Sequence, residues 1–255
     1  MLVGAAQLLR LSELTHAIAA LNRTPDFCLT RLPKKELIEE LCSSLVVFDR
    51  TLKGAESDPL LKFVHKSVQD FFMEDPESLQ LPDERLRAYF VFPDKANLIL
   101  GTACLAYLNY GRYHVPQDTS NIIGRDDHGF LRHAATFWHH YLSGAKKSTE
   151  LYQLTVNFTR TKAFWTCVAV QSHVAPFLFG TYYNGGSPYL GEYDLKASVP
   201  KLKMQCEDTI CYGVPLPEWL EDKCYGSDGA RIIEAFHKFI VEWHPLLNSH
   251  PEAVA

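Results

Sequence analysis

The residues best placed to do chemistry lie in Leu60-Leu61-Lys62-Phe63-Val64-His65-Lys66-Ser67-Val68-Gln69-Asp70-Phe71-Phe72-Met73. The first half is short, apolar and rich in β-formers, bounded by Asp58-Pro59 and Lys66, which is the pattern of a half-buried strand. The second half changes period. Ser67 is a candidate helix cap, Asp70 follows three residues on as in a capping box, and Val68, Phe71 and Phe72 fall on one helical face. His65 is therefore predicted at the point where strand gives way to helix. An imidazole there can reach a ligand, and the first N–H groups of a helix favour negative charge, so the chemistry on offer is hydrogen bonding to an anion. Spacing alone favours a blander role for His65, a buried turn histidine bonded to local backbone.

The remaining candidates are weaker. Cys206, Cys211, Cys224 and His237 could form a zinc set, but their spacings are not the tight pairs of structural sites, and buried thiols are the simpler expectation. His133, His139 and His140 share one predicted helix without the glutamate of an H-E-x-x-H motif and are expected at its surface or edge. Cys42 and Cys104 sit mid-helix on apolar stripes, where a thiol stays protonated and inert. Asp126-Asp127-His128 is expected to be a helix cap followed by a solvated histidine. No G-x-S-x-G elbow occurs. Gly144-Ala145-Lys146-Lys147-Ser148-Thr149 has only a superficial likeness to a phosphate-binding loop, lacking the glycine before the lysine and any strand leading into it. A hydrophobic strand ending in paired acids is also missing, so neither ATP hydrolysis nor a bound metal is expected of this chain.

Composition sets the frame. The chain has 255 residues, 47% hydrophobic and 22% charged, which is ordinary globular composition with material for a substantial core. A formal net charge of -5 without a dense Lys/Arg block excludes the electrostatic footprint of a nucleic-acid binder. The seven cysteines are scattered, no secretory signal is visible, and the longest apolar run, Leu98 to Leu108, falls short of the roughly 20 residues that span a bilayer. A soluble, cytoplasmic chain with no membrane contact is expected.

The elements that must position His65 follow from periodicity. Leu8, Leu9, Leu11, Leu14, Ile18 and Leu21 predict an amphipathic helix. A second opens at Pro33, with Leu37, Ile38, Leu41, Cys42 and Leu45 as its buried stripe opposite Lys34, Lys35, Glu39 and Glu40. The β-rich Leu45-Val46-Val47-Phe48, the polar segment Asp49 to Pro59 and the strand before His65 complete a winged-helix order, with Asp49 to Pro59 as the wing. Beyond Asp75-Pro76 the pattern is helical: Ala96 to Leu108, Phe130 to Leu142 with Asp126 or Asp127 as cap, and a helix starting at Ser148 that continues or restarts with Phe164, Cys167 and Val168. Residues 176–217 are irregular, and residues 228–244 predict a last helix through Ile232, Phe236, Phe239 and Trp243. The expected fold is mainly α, with a winged-helix-like domain over 1–79 and an α-helical array over 80–255.

His65-Lys66-Ser67-Val68-Gln69-Asp70-Phe71 resembles the His-x-Ser-(Phe/Val)-Gln-(Glu/Asp)-(Phe/Tyr) element that closes the winged helix of NACHT-type STAND NTPases, the NOD-like receptors. Leu9 to Ala19 looks like the "rPLtl-EL-hAia" helix that precedes it in fungal members, Ile38 to Val46 like their "I-x-x-lCssLv" segment, and Phe130 to Trp138 like their "yAa-x-yW" helix. Pro215 to Leu220 is similar to a further fungal element. The resemblance covers most of the first 140 residues and is sharpest at His65.

By that resemblance His65 would touch the β-phosphate of ADP held by an upstream nucleotide-binding domain, keeping the receptor closed until ATP replaces it. ADP or ATP would belong to a full-length parent, not to this chain. The pattern opens inside the winged helix, so a fragment, a truncated gene model or a degenerate paralogue is expected, acting as a non-catalytic regulatory module with neighbouring protein domains as partners. The alternatives are a stand-alone winged-helix DNA-binding protein and a helical protein-interaction scaffold.

Overall fold

The fold was analysed on a computed structural model that describes residues 1–22, 26–51, 57–79, 84–115, 122–123 and 125–171. The irregular stretch 176–217, the helix expected over 228–244, the Pro215 to Leu220 element and the Cys206, Cys211, Cys224, His237 set lie outside the described residues.

The described chain is mainly helical with one small two-stranded antiparallel sheet. In order, the elements are α1 (Leu11–Leu21), α2 (Lys35–Cys42), β1 (Val46–Asp49), β2 (Leu60–Phe63), α3 (Lys66–Met73), α4 (Pro93–Leu108), α5 (Leu131–Gly144) and α6 (Thr149–Arg160). A further helical stretch covers 163–171. The two strands pair Val46 with Phe63, Val47 with Lys62, Phe48 with Leu61 and Asp49 with Leu60. Lys62 Nζ donates to Asp49 Oδ2 at 2.6 Å beside that ladder, and with Thr51 it holds the Asp49 carboxyl well below the usual carboxylate range.

α1 begins later than apolar periodicity suggests. Leu8 and Leu9 are not helical, because Arg10 bridges to Leu60 and the chain there runs extended along β2. The Leu61 N–H donates to the Leu9 carbonyl and the Leu11 N–H to that of Pro59, both at 2.9 Å. Leu9 is thereby fully buried, while Leu8, the next side chain along an extended segment, points out. Glu13 Oε2 accepts the Arg10 N–H at 2.7 Å, closing the backbone half of a capping box at the helix start.

α2 also departs from expectation. It starts after Pro33, with Lys34 as N-cap, and of the five apolar side chains predicted to be buried only Ile38 is. Cys42 is half-buried, and Leu37, Leu41 and Leu45 are exposed. The reason is geometric: eight residues make about two turns, and α2 meets the core through Ile38 and Cys42, which leaves Leu37 and Leu41 on its exposed side.

α4 is the central helix of the described residues. Ala96, Leu100, Ala103, Cys104, Leu105, Tyr107 and Leu108 are buried on all its sides, as befits a helix enclosed by α1, α5 and α6. Gly101 lies where α4 meets its neighbours: a Cβ there would stand 3.5 Å from both Leu151 Cδ1 and Tyr141 Cβ. The apolar core is continuous from Leu9 of the N-terminal segment to Val170, so the hairpin region and the helical array share it.

α5 is not capped by Asp126 or Asp127. Those residues form a 3-10 turn with His128, and Phe130 occupies the N-cap position without a side-chain bond. α6 is capped as expected, the Ser148 hydroxyl accepting the Leu151 N–H at 3.3 Å. No helix among the described residues is long and apolar enough to cross a membrane.

Candidate functional site

His65 stands two residues beyond the end of β2. The Val64 N–H still donates to the Leu45 carbonyl at 3.0 Å, so the sheet holds the chain up to that point. The backbone at His65 is extended (φ -151°, ψ 148°), and α3 begins at Lys66. The cap is therefore His65 itself rather than Ser67. Its Nδ1 accepts the Ser67 N–H at 3.1 Å and lies 2.8 Å from the Ser67 hydroxyl. Ser67 lies two positions past the cap and is already the second residue of the helix.

This geometry fixes the ring's chemistry. A nitrogen that accepts a backbone N–H cannot carry a proton, so the neutral imidazole has its hydrogen on Nε2. The ring is exposed, and Nε2 has no hydrogen bond among the described residues. One nitrogen is thus tied to local backbone, and the other is a donor on an exposed ring. Lys66 is exposed next to it, and Lys66 and Gln69 help line a shallow cavity of about 230 Å³ between β2 and the segment from Leu2 to Leu9. Gln69 Nε2 donates to the Val3 carbonyl at 3.0 Å, which holds α3 to that segment.

The apolar face predicted for α3 is only partly covered. Phe71 is exposed, Val68 and Phe72 are half-buried, and the Phe71 ring rests 5.0 Å from that of Phe90. α3 is a surface helix that displays His65 at its start.

The other histidines fall differently from expectation. His133 is buried, not at a surface or edge: its Nε2 lies 2.9 Å from the Tyr141 hydroxyl, which itself accepts the Ala6 N–H at 2.9 Å. His133 Nε2 and the Tyr141 hydroxyl share one hydrogen bond whose direction follows the His133 tautomer. Burial pushes His133 down to about 3, so the ring is neutral. His139 and His140 are half-buried and do not converge with His133 on any ligand set; no cluster of three or more His, Cys, Asp or Glu suited to a metal occurs among the described residues.

His128 is likewise buried rather than solvated. It belongs to a cluster that periodicity does not reveal: Arg112 donates to the Tyr113 hydroxyl at 3.0 Å and to the Asp127 carbonyl, while its guanidinium lies 4.2 Å above the Phe27 ring. His128 Nδ1 is 3.0 Å from the Tyr113 hydroxyl, and His16 Nδ1 is 3.3 Å from that of Tyr107. Burial, followed by the nearby Arg112 charge, lowers both histidines to about 4. The cluster ties α1 to the segment between α4 and α5 with one cation and neutral rings. The alternation of Tyr110, Arg112 and Tyr113 is its only trace in the sequence.

Cys104 is fully buried and Cys42 half-buried, and burial pushes both thiols upward, away from the reactive thiolate. Compared with known protein families, characterised proteins and solved structures, the chain matches none of them.

Proposed function

We propose that this chain is the winged-helix and helical-arm region of a NACHT-type STAND NTPase of fungal type, a NOD-like receptor, and that it acts as a non-catalytic module coupling nucleotide state to signalling. The observation that carries this is His65: an exposed imidazole at a strand-to-helix junction, its Nδ1 occupied by the Ser67 N–H and its Nε2–H without a partner among the described residues. Such a donor suits a phosphate oxygen, and the positive end of α3 beside exposed Lys66 adds to that preference. The fit extends to one contact only, since no phosphate-wrapping loop exists in this sequence. ADP, when bound to the neighbouring domain of the parent, supplies the anion; this chain supplies the donor and its orientation.

Topology supports the winged-helix part. α1, α2 and the β1–β2 hairpin follow in the required order, and the Arg10–Leu60 bridge adds a rudimentary third strand on the free edge of β2. The wing spans Asp49 to Pro59, of which 52–56 lie outside the described residues. The stand-alone DNA-binding alternative meets an electrostatic obstacle, because the helix that would enter a groove exposes Glu36 and Glu40. The scaffold alternative overlaps with the proposal wherever the parent has lost its ATPase core.

The coding DNA upstream of Met1 tests the assignment. An in-frame G-x-x-x-x-G-K-(S/T) loop is expected there; an unrelated reading frame would contradict it. A gel shift with generic duplex at low salt tests the DNA alternative, and no retarded species is expected.

A further inference from the structure

We propose that the row Leu37, Leu41 and Leu45, continued by Val47 of β1, is a docking surface for an amphipathic partner helix whose flank carries Lys and Arg. Leu37, Leu41, Leu45 and Val47 are 49%, 72%, 40% and 47% exposed. A single exposed leucine needs no explanation, but four exposed aliphatic side chains on α2 and the turn into β1 mark an interaction site. Leu37 and Leu41 stand one turn apart on α2, and Leu45 and Val47 follow where the chain turns from α2 into β1. Ile38 and Cys42, one position further round, already face the core, so the row is a second apolar line on a helix whose first is satisfied.

Charge decides the occupant. Glu36 and Glu40, also one turn apart, run beside the leucine row on the side away from Ile38. Both are exposed, and neither has an ion pair among the described residues. Glu39, the next acid round the helix, is different, being held by Arg50 at 2.6 Å. The leucine row therefore has an unneutralised acidic rail along one edge. A second copy docked through a two-fold axis would bring these carboxylates against themselves, and a duplex or an anionic membrane would meet like charge. A helix laying leucines into the row and lysines or arginines over Glu36 and Glu40 satisfies both features at once. The proposal needs only α2 and the turn into β1 and stands whether or not the receptor assignment holds.

The test uses the full chain and two synthetic helical peptides with the same leucine face, one flanked by Lys and Arg, the other by Glu. Binding is followed by fluorescence anisotropy. The basic peptide is expected to bind at least about tenfold tighter than the acidic one, and Leu41→Glu to weaken it by about tenfold or more. Reversing the rail with Glu36→Lys and Glu40→Lys should invert the preference. Leu41 is the most exposed of the row, so its replacement leaves the fold intact, which circular dichroism checks. Equal affinity for both peptides, no binding by either, indifference to Leu41→Glu, or a chain dimer dissolved by Leu41→Glu would each overturn the proposal.

Discussion

Asp58 reaches back 46 positions to hold Ser12 at both of its polar groups, accepting the backbone N–H at 2.7 Å and the hydroxyl at 2.6 Å. The acid just before β2 thus satisfies an orphan N–H in the first turn of α1, a role usually filled by the residue preceding the helix. Together with the Arg10–Leu60 bridge, it locks the chain entering β2 onto the start of α1. The orientation of β2, and so of His65, depends on that lock.

Asp58→Ala should therefore destabilise the fold by about 1–2 kcal/mol, since it removes a cap and leaves the Ser12 N–H without its acceptor. Urea denaturation measures this as a lower midpoint at unchanged slope. An unaltered midpoint would mean that water replaces the carboxylate at no cost.

Tyr141→Phe should cost about 1–3 kcal/mol, because one hydroxyl serves both the Ala6 N–H and His133 Nε2 inside the core. Thermal melts of the two proteins compare them directly; equal midpoints would contradict the bonding pattern.

Stability should depend on pH in two opposed ways. His133, His16 and His128 have folded values near 3, 4 and 4, below the ordinary 6.5. Between those limits the unfolded chain binds more protons, so their contribution is complete above pH 6.5 and is lost as pH falls toward 4. Glu13 has the reverse sign. Burial raises it from 4.5 to about 7, so the folded state holds the extra proton and stability falls as pH rises through 7. Glu13→Gln should then gain on the native protein between pH 5 and pH 8, measured by denaturant midpoints at each pH. A gain that shrinks with rising pH would contradict a raised Glu13.

How far the sequence foretold this arrangement can be judged element by element. α4, α5 and α6 were legible because long amphipathic or wholly apolar periodicity leaves little choice of structure. The hairpin was legible from β-formers flanking a polar segment. The start of α1 was not, since Leu8 and Leu9 continue the helical period and only the pairing with β2 pulls them out. The exposure of Leu37 and Leu41 was not either, because periodicity shows an apolar face but not whether anything covers it. At the candidate site, the position of His65 between strand and helix could be read directly, while the capping role of its Nδ1 could not: histidine is an uncommon cap, and Ser67 offered a more ordinary one. The burial of His128 and His133 depends on tyrosines brought from other elements, which spacing along one helix cannot reveal.

Nucleotide retention by the proposed NACHT-type parent tests the role of His65 most directly, comparing the native protein with His65→Ala and Ser67→Ala. Loss of one hydrogen bond to a charged phosphate predicts that His65→Ala releases ADP about tenfold to a hundredfold faster. Ser67→Ala, which keeps the backbone N–H on Nδ1, should fall between the two. Identical ADP release from the native protein and His65→Ala would contradict the account and leave His65 only the cap of α3.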